Sequence, residues 1–455
     1  MKIAIVSLGC PKNQVDADMF CRALIEAGHT TVPHTAQADV VIVNTCGFIE
    51  SAKEEAIEAI FDACALKRDN PALKVVASGC LAERYREEMA AEIPELDAVV
   101  GIGRNAELPE IIAGLVGGDA RAEAGPLCAF GPKAALPLDG RRVISTPGHY
   151  AWLKIAEGCS NACAYCAIPA IRGPFRSRAM ASILAEAEWL SQQGVKELVL
   201  VAQDVTAYGD DLGGRMLPQL LDKLNAVEGI AWIRLLYAYP EKIDDALLDA
   251  MARNPKVLHY LDLPIQHSED DILASMGRKG GSEAIRLAIE KIRRKLPDAT
   301  LRTSLIAGYP GETEAQFEAL CAFVKATRFD RLGCFAYSPE EGTRAAGLPG
   351  QLPQEERARR AEVVMALQQR IMAEKQEALV GKQLVVLCDG YDDEQDAWLC
   401  RSAADAPEID ANVLLPGSAP LEAGGFYTVR VTGAAGLDLE AALTAPVPPG
   451  QDAGR

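Results

Sequence analysis

No stretch of this 455-residue chain approaches the roughly 18 uncharged apolar residues that a bilayer-spanning helix requires. The opening MKIAIVSLGC places one Lys before a short apolar run, residues 3–8. That run is too short for a secretory h-region, and no A-x-A-like cleavage site follows it. Positive charge is also scarce. Lys and Arg number 46 against 64 Asp and Glu, a formal net charge of −18, which argues against a chain built mainly to neutralise phosphates. Cysteine is sparse by the standard of disulfide scaffolds: 13 residues, an odd number, which argues against a secreted disulfide framework. There is no internal repeat. The expectation is a soluble cytoplasmic protein with reduced thiols.

Short apolar runs alternate with amphipathic segments through the first hundred residues: KIAIVSLGC, DADMFCRALIEAG, ADVVIVNTC, SAKEEAIEAIFDACA and LKVVASGC. This pattern predicts a parallel sheet covered by helices, an N-terminal α/β domain over 1–117. A Gly-, Ala- and Pro-rich stretch at 118–147 reads as a linker, and Cys128 within it has no expected ligand role. Six further strand–helix units over 148–378 predict an open (β/α)6 partial barrel, two units short of the complete fold. From 379 to 445 short alternating strands predict a small β-barrel, and 446–455 read as a frayed tail. The fold class is therefore multidomain α/β with a C-terminal β-barrel. Between 380 and 455 four basic residues face twelve acidic ones, leaving the barrel region at −8.

The thiols fall into two sets. Cys10, Cys46 and Cys80 each follow a predicted strand, and each is flanked by Gly (LGC, TCG, SGC). Crevices beyond the carboxyl ends of strands are where open α/β sheets bind ligands. A single such Cys is more often core; three at equivalent ends favour a ligand set. The second set, Cys159-x3-Cys163-x2-Cys166 in EGCSNACAYCAIP, is compact enough for one metal centre. Structural zinc would need a fourth Cys or His, and the nearest is His149. A two-cluster ferredoxin run would carry a fourth Cys before its Pro, whereas Ala167 and Ile168 precede Pro169. Three thiolates on a four-iron cluster leave one iron open to a small molecule, by the logic that keeps a catalytic metal position open. Cys21, Cys64, Cys321, Cys334, Cys388 and Cys400 are assigned to packing.

The 159–166 loop, with Tyr165 before the last Cys, resembles the signature of the radical S-adenosylmethionine enzymes. The resemblance implies that S-adenosylmethionine chelates the open iron and is cleaved there to a radical that abstracts hydrogen from an unactivated C–H bond. With an N-terminal α/β domain and a TRAM-like barrel, the chain resembles the methylthiotransferases over nearly its whole length. That resemblance implies a second 4Fe–4S cluster on Cys10, Cys46 and Cys80. One S-adenosylmethionine would give a methyl group and another the radical, turning C–H into C–S–CH3.

SLGCPKNQVD, CAIPAIRGPFRSR, AYSPEEGT and RSAADAPEID resemble the RimO branch, which modifies an aspartate of small-subunit ribosomal protein S-twelve, rather than the tRNA-modifying MiaB branch with its GCQMN and CVVPYTRG. Gln14, Ala17, Asp18 and Gly277 depart from the usual pattern without touching an expected ligand. The acidic barrel agrees with a basic protein partner better than with tRNA. The resemblance implies cofactor contacts at Tyr165 through its backbone, and at Gln203, Asp204, Gln266 and Arg302, all four read as lying at the carboxyl ends of barrel strands. Arg172, Arg176 and Arg178 suit bidentate carboxylate binding or structural ion pairs, and His267 suits proton transfer or a structural role. One chain carries every catalytic part, so a monomer is expected, with an electron donor and a sulfur source as further partners. A tRNA methylthiotransferase is the alternative enzyme. An iron–sulfur electron carrier is the alternative from another class, but it leaves both missing fourth ligands unexplained.

Overall fold

The computed structural model describes residues 1–117 and 125–446. The expected tail beyond residue 446 and the start of the expected linker, 118–124, lie outside the described residues. Two compact units form: unit 1 comprises residues 1–145, 156–178 and 338–346, and unit 2 comprises 146–155, 179–337 and 347–455.

Unit 1 is built on a six-stranded parallel sheet of β1 (Lys2–Ser7), β2 (Thr30–Thr31), β3 (Val40–Thr45), β4 (Lys74–Gly79), β5 (Ala98–Val100) and β6 (Leu127–Ala129), in the order β2-β1-β3-β4-β5-β6. The strands are Val- and Ile-rich because both faces are covered. Ala4, Val41, Val43, Val75 and Ala77 pack on one side with Ala56 and Ile60 of α2 (Glu50–Ala65) and Leu81 and Ala82 of α3 (Cys80–Glu92). Ile3, Val40, Ile42 and Val76 pack on the other with Phe20 and Leu24 of α1 (Pro11–Glu26) and Leu108 and Ile112 of α4 (Leu108–Val116). Each fully buried Val, Ile or Leu contributes about 1.5–3 kcal/mol. β6 arises from the stretch expected to be linker, pairing Leu127, Cys128 and Ala129 with β5; its three residues sit between Gly/Pro-rich segments that mask any period. Residues 156–178 add a short hairpin of β8 (Ala156–Glu157) and β9 (Arg176–Ser177), and α5 (Ile168–Arg172).

Unit 2 holds the six-stranded parallel sheet expected of the partial barrel: β7 (Tyr150–Lys154), β10 (Glu197–Val201), β11 (Trp232–Leu235), β12 (Val257–Asp262), β13 (Thr300–Ala307) and β14 (Arg331–Ala336), neighbours in that order. A closed β-barrel follows: β15 (Gln383–Asp392), β16 (Ala397–Ser402), β17 (Val413–Pro416), β18 (Phe426–Ala435) and β19 (Asp438–Pro446). β19 closes it by pairing antiparallel to β18 and parallel to β17. Its Ala-rich sequence has low strand propensity, so only pairing reveals it.

The barrel is fastened beneath the starts of the parallel strands by buried charge. Glu197, at the first residue of β10, accepts from Arg234 Nε at 2.8 Å and from Arg401 Nη1 at 2.7 Å. Arg401 also holds Asp389, which His149 meets at 2.7 Å. Tyr260 donates to Asp410 at 2.6 Å, and the rings of Trp232 and Phe426 meet edge to face at 5.0 Å.

Candidate functional site

Within unit 1 the first three cysteines converge. Strand order reverses between β1 and β3, the switch point at which open α/β sheets bind ligands. Cys10 follows β1 as the N-cap of α1, Cys46 follows β3 directly, and Cys80 follows β4 as the first residue of α3. Two of the thiols therefore lie at helix N-termini. The three loops approach so closely that glycine is required between them. A Cβ on Gly9, whose φ is +89°, would fall 2.7 Å from the Cys46 Cβ, and one on Gly47 would fall 2.7 Å from the Leu81 Cα.

Neighbouring side chains stitch the loops together. Thr45 Oγ1 accepts from Leu81 and Ala82 N–H at 3.2 and 3.3 Å, so the residue before Cys46 caps the helix that starts at Cys80. Asn13 Nδ2 donates to the Leu8 carbonyl at 2.8 Å and the Thr45 carbonyl at 3.2 Å. Asn44 Nδ2 returns a bond to the Asn13 carbonyl at 2.9 Å. Burial pushes the Cys80 thiol up to about 12, against the lowering effect of Arg172, while Cys10 and Cys46 add to the rise. Burial raises Cys46 as well. Among the described residues no three His, Cys, Asp or Glu side chains converge at the spacing of a single ion. Three thiols are a donor set of the type that iron–sulfur clusters take.

The second set lies on the loop after β8. Gly158, φ +78°, approaches the chain's return so closely that a Cβ would lie 2.2 Å from the Pro174 carbonyl oxygen. Cys159 N–H donates to the Gly173 carbonyl at 3.1 Å, and Cys166 N–H turns back to Cys163 at 3.2 Å. Cys159 and Cys163 are buried, and Cys166 is half-buried. Tyr165 is half-buried in the turn between them. Residues 338–346, from the AYSPEEGT motif, bind both cysteine regions. Glu340 meets Arg84 at 3.1 Å and Lys53 at 3.2 Å, and Arg84 donates to the Gly47 carbonyl at 2.9 Å. At the other loop Arg344 donates to the Ala162 carbonyl at 2.9 Å and Ala345 N–H to the Ala164 carbonyl at 2.9 Å.

Arg172, the last residue of α5, is 2% exposed. Its Nε and Nη2 donate to Cys80 Sγ at 3.3 and 3.2 Å, Nη1 to Glu157 at 3.0 Å and to Asp16, and Nη2 to Asn13 at 3.0 Å. Of the other two arginines, Arg178 pairs with Asp139 at 2.7 Å and Arg176 donates to the Ala134 carbonyl at 2.8 Å. Asn13, Asp16, Glu157 and Glu340 had no role in the sequence reading. An Asn and three acids lying close to the cysteines or in the AYSPEEGT motif are the signal that could have found them.

In unit 2 the expected cofactor residues divide. Gln203 follows β10, and Gln266 follows β12 with φ +72° and bridges to Leu305. Asp204 caps the next turn, accepting from Ala207 N–H at 3.2 Å, and pairs with Lys242 at 3.0 Å. The expected position of Arg302 is corrected: it is the third residue of β13, far from the carboxyl end, and pairs with Asp262 at 2.7 Å and Asp410 at 3.7 Å. His267 is fully buried, its Nδ1 accepting from Glu269 N–H at 3.1 Å and its Nε2 3.5 Å from Glu312.

Three family models match: uncharacterized protein family UPF0004 over residues 2–101, the radical SAM superfamily over 153–324 and the TRAM domain over 380–443. A protein of Desulfitobacterium hafniense (strain Y51) described as ribosomal protein uS12 methylthiotransferase RimO is 45% identical over 439 residues, 96% of this chain and 97% of that relative. Another of that description, from Anaeromyxobacter sp. (strain Fw109-5), is 46% identical over 442 residues, covering 96% and 92%. Among solved structures the radical S-adenosylmethionine methyltransferase TsrM of Kitasatospora setae, with cobalamin and a 4Fe–4S cluster bound, shares the fold at TM-score 0.56 and 15% identity, covering 76% of each chain. Iron–sulfur and S-adenosylmethionine chemistry follow from these matches, and the enzyme transfers an alkylthio group. The chain belongs to the RimO family of radical S-adenosylmethionine methylthiotransferases.

Proposed function

We propose that this enzyme methylthiolates the β-carbon of an aspartate of ribosomal protein uS12, the S-twelve protein named above, replacing a C–H bond by C–S–CH3. In this reading Cys159, Cys163 and Cys166 hold one 4Fe–4S cluster and Cys10, Cys46 and Cys80 hold a second. The observation that carries it is identity of 43–46%, running through all three regions of the chain, to relatives named as uS12 methylthiotransferases. When bound, the clusters and S-adenosylmethionine supply the electron, the hydrogen-abstracting radical and the methyl group.

The chain's own residues then bind and orient. The Tyr165 backbone, Gln203 and Gln266 are the contacts to S-adenosylmethionine that the family resemblance implies. Asp204 and Arg302, the other two candidate contacts, are paired with Lys242 and Asp262. The acidic C-terminal barrel attracts a basic ribosomal protein by complementary potential. A reductant and a sulfur donor complete the reaction, which takes place in the cytoplasm on a single chain.

The test is anaerobic. Enzyme reconstituted with iron and sulfide is given a reductant, a sulfur source and S-adenosylmethionine, then offered uS12 and unmodified tRNA in parallel, with products read by mass spectrometry. A methylthio group on a uS12 aspartate is the expected product. Modification of tRNA alone would reject the substrate while keeping the chemistry. Cys163→Ala should abolish S-adenosylmethionine cleavage while iron remains at the other site.

A further inference from the structure

Arg172 is covalently part of the loop carrying Cys159, Cys163 and Cys166, six residues beyond its last thiol, yet its guanidinium is bonded to a thiol of the other set. Two N–H groups reach Cys80 Sγ at 3.2 and 3.3 Å, the range of an N–H···S hydrogen bond, from a cation removed from solvent. Asp16, Glu157 and Asn13 hold the guanidinium so that its orientation toward sulfur is fixed. The contact cannot be explained as neutralisation of a carboxylate alone, since the carboxylates occupy Nη1 and leave Nε and Nη2 aimed at the thiol. Hydrogen bonds and positive charge at cluster sulfur stabilise the more negative, reduced state and raise a cluster's reduction potential. Low dielectric strengthens the effect.

We infer that Arg172 is a positioning residue that sets the reduction potential of the cluster on Cys10, Cys46 and Cys80 by donating two hydrogen bonds to the Cys80 sulfur, and that it ties that cluster to the loop bearing the other. This rests on the proposed assignment of a second cluster to those cysteines. The bond also links the two cysteine sets mechanically: any shift of α5 is felt at Cys80.

The test uses full-length protein with Cys159, Cys163 and Cys166 all replaced by Ala, so that iron bound by the remaining set is observed alone. Its midpoint potential is measured by anaerobic titration followed by electron paramagnetic resonance, beside iron content and thermal melting. Two changes are made in this background. Arg172→Lys keeps the charge but cannot direct two N–H groups at sulfur while holding Asp16, Glu157 and Asn13. Arg172→Gln with Asp16→Asn removes the guanidinium at constant net charge. The expected result is iron content equal to the parent and a midpoint displaced to more negative values, less in the lysine variant than in the double variant. An unmoved midpoint in iron-replete Arg172→Lys overturns the inference, and that variant decides the matter should the double variant fail to fold. A parent that melts normally but binds no iron overturns the assignment of the second cluster, and the inference with it, a result distinguishable from an unmoved potential.

Discussion

Arg172 of unit 1 and Arg401 of unit 2 are both fully buried guanidiniums set between two carboxylates, and they end differently. Glu197 and Asp389 around Arg401 are shared with Arg234 and His149, so every charge in that network is met by protein. Asp16 and Glu157 both lie on Nη1 of Arg172, and the remaining donors of that guanidinium reach Asn13 and the sulfur of Cys80. A closed network fastens a β-barrel to the feet of parallel strands. The other directs two donors of a buried cation at the sulfur of Cys80. The same side chain, equally buried, is cement in one place and part of an electronic environment in the other.

The most severe way to break this comparison is Arg401→Met, which strips one partner from a buried network and should cost about 3–5 kcal/mol. Denaturant unfolding should register the loss while iron content per folded chain stays at the wild-type value; iron falling in step would erase the contrast. Gly9→Ala should act the other way round. The left-handed backbone and the contact with Cys46 add roughly 1–3 kcal/mol of strain, but the expected signature is loss of about half the bound iron on a two-cluster count, with S-adenosylmethionine cleavage retained. Glu340→Gln leaves Arg84 and Lys53 underpaired at a cost of about 1–3 kcal/mol. Its melting shift should be accompanied by slower turnover, because 338–346 grips both cysteine regions.

The smallest effects come from pH and have opposite signs in the two units. The arginines hold Glu197 below the usual carboxylate range despite burial. Its contribution is complete above about pH 4.3, the unfolded value, and is lost as pH falls through the depressed folded value. Burial raises Asp18 to about 6, outweighing Arg142 at 2.9 Å. The folded chain therefore binds that proton more tightly than the unfolded one, and stability declines as pH rises from about 4 to 6. Glu197→Gln should flatten the acid limb of a stability–pH curve and Asp18→Asn the segment above it; the reverse pattern would show that the two networks had been misread.

The sequence was legible where period and punctuation coincide. Apolar strands ending in LGC, TCG and SGC announced three cysteines at equivalent positions of a parallel sheet, and the structure brings them to its switch point. The six strands of the partial barrel were equally plain, being continuous apolar runs of ordinary length. What stayed hidden depends on partners distant in sequence. β6 is three residues long and exists because β5 is beside it. β19 is Ala-rich and is a strand only through pairing with β17 and β18. The partner of Arg172 was undecided between a carboxylate of a ligand and one of the protein, because nothing local to CAIPAIRG points to Asp16 or to a sulfur ninety-two residues earlier. Arg302 was displaced by a similar ignorance, since Asp410 belongs to the C-terminal barrel.

The chain enters unit 1 three times, at 1–145, 156–178 and 338–346, and this has a consequence for its birth on the ribosome. All six strands of the first sheet emerge before residue 130, so the nascent chain can present Cys10, Cys46 and Cys80 early. Arg172 arrives later, and Glu340, which grips Arg84 across 256 residues, later still. Contacts of such separation form slowly. Three thiols are thus displayed on a finished sheet before the groups that enclose them exist, and during that interval they are most open to oxidation.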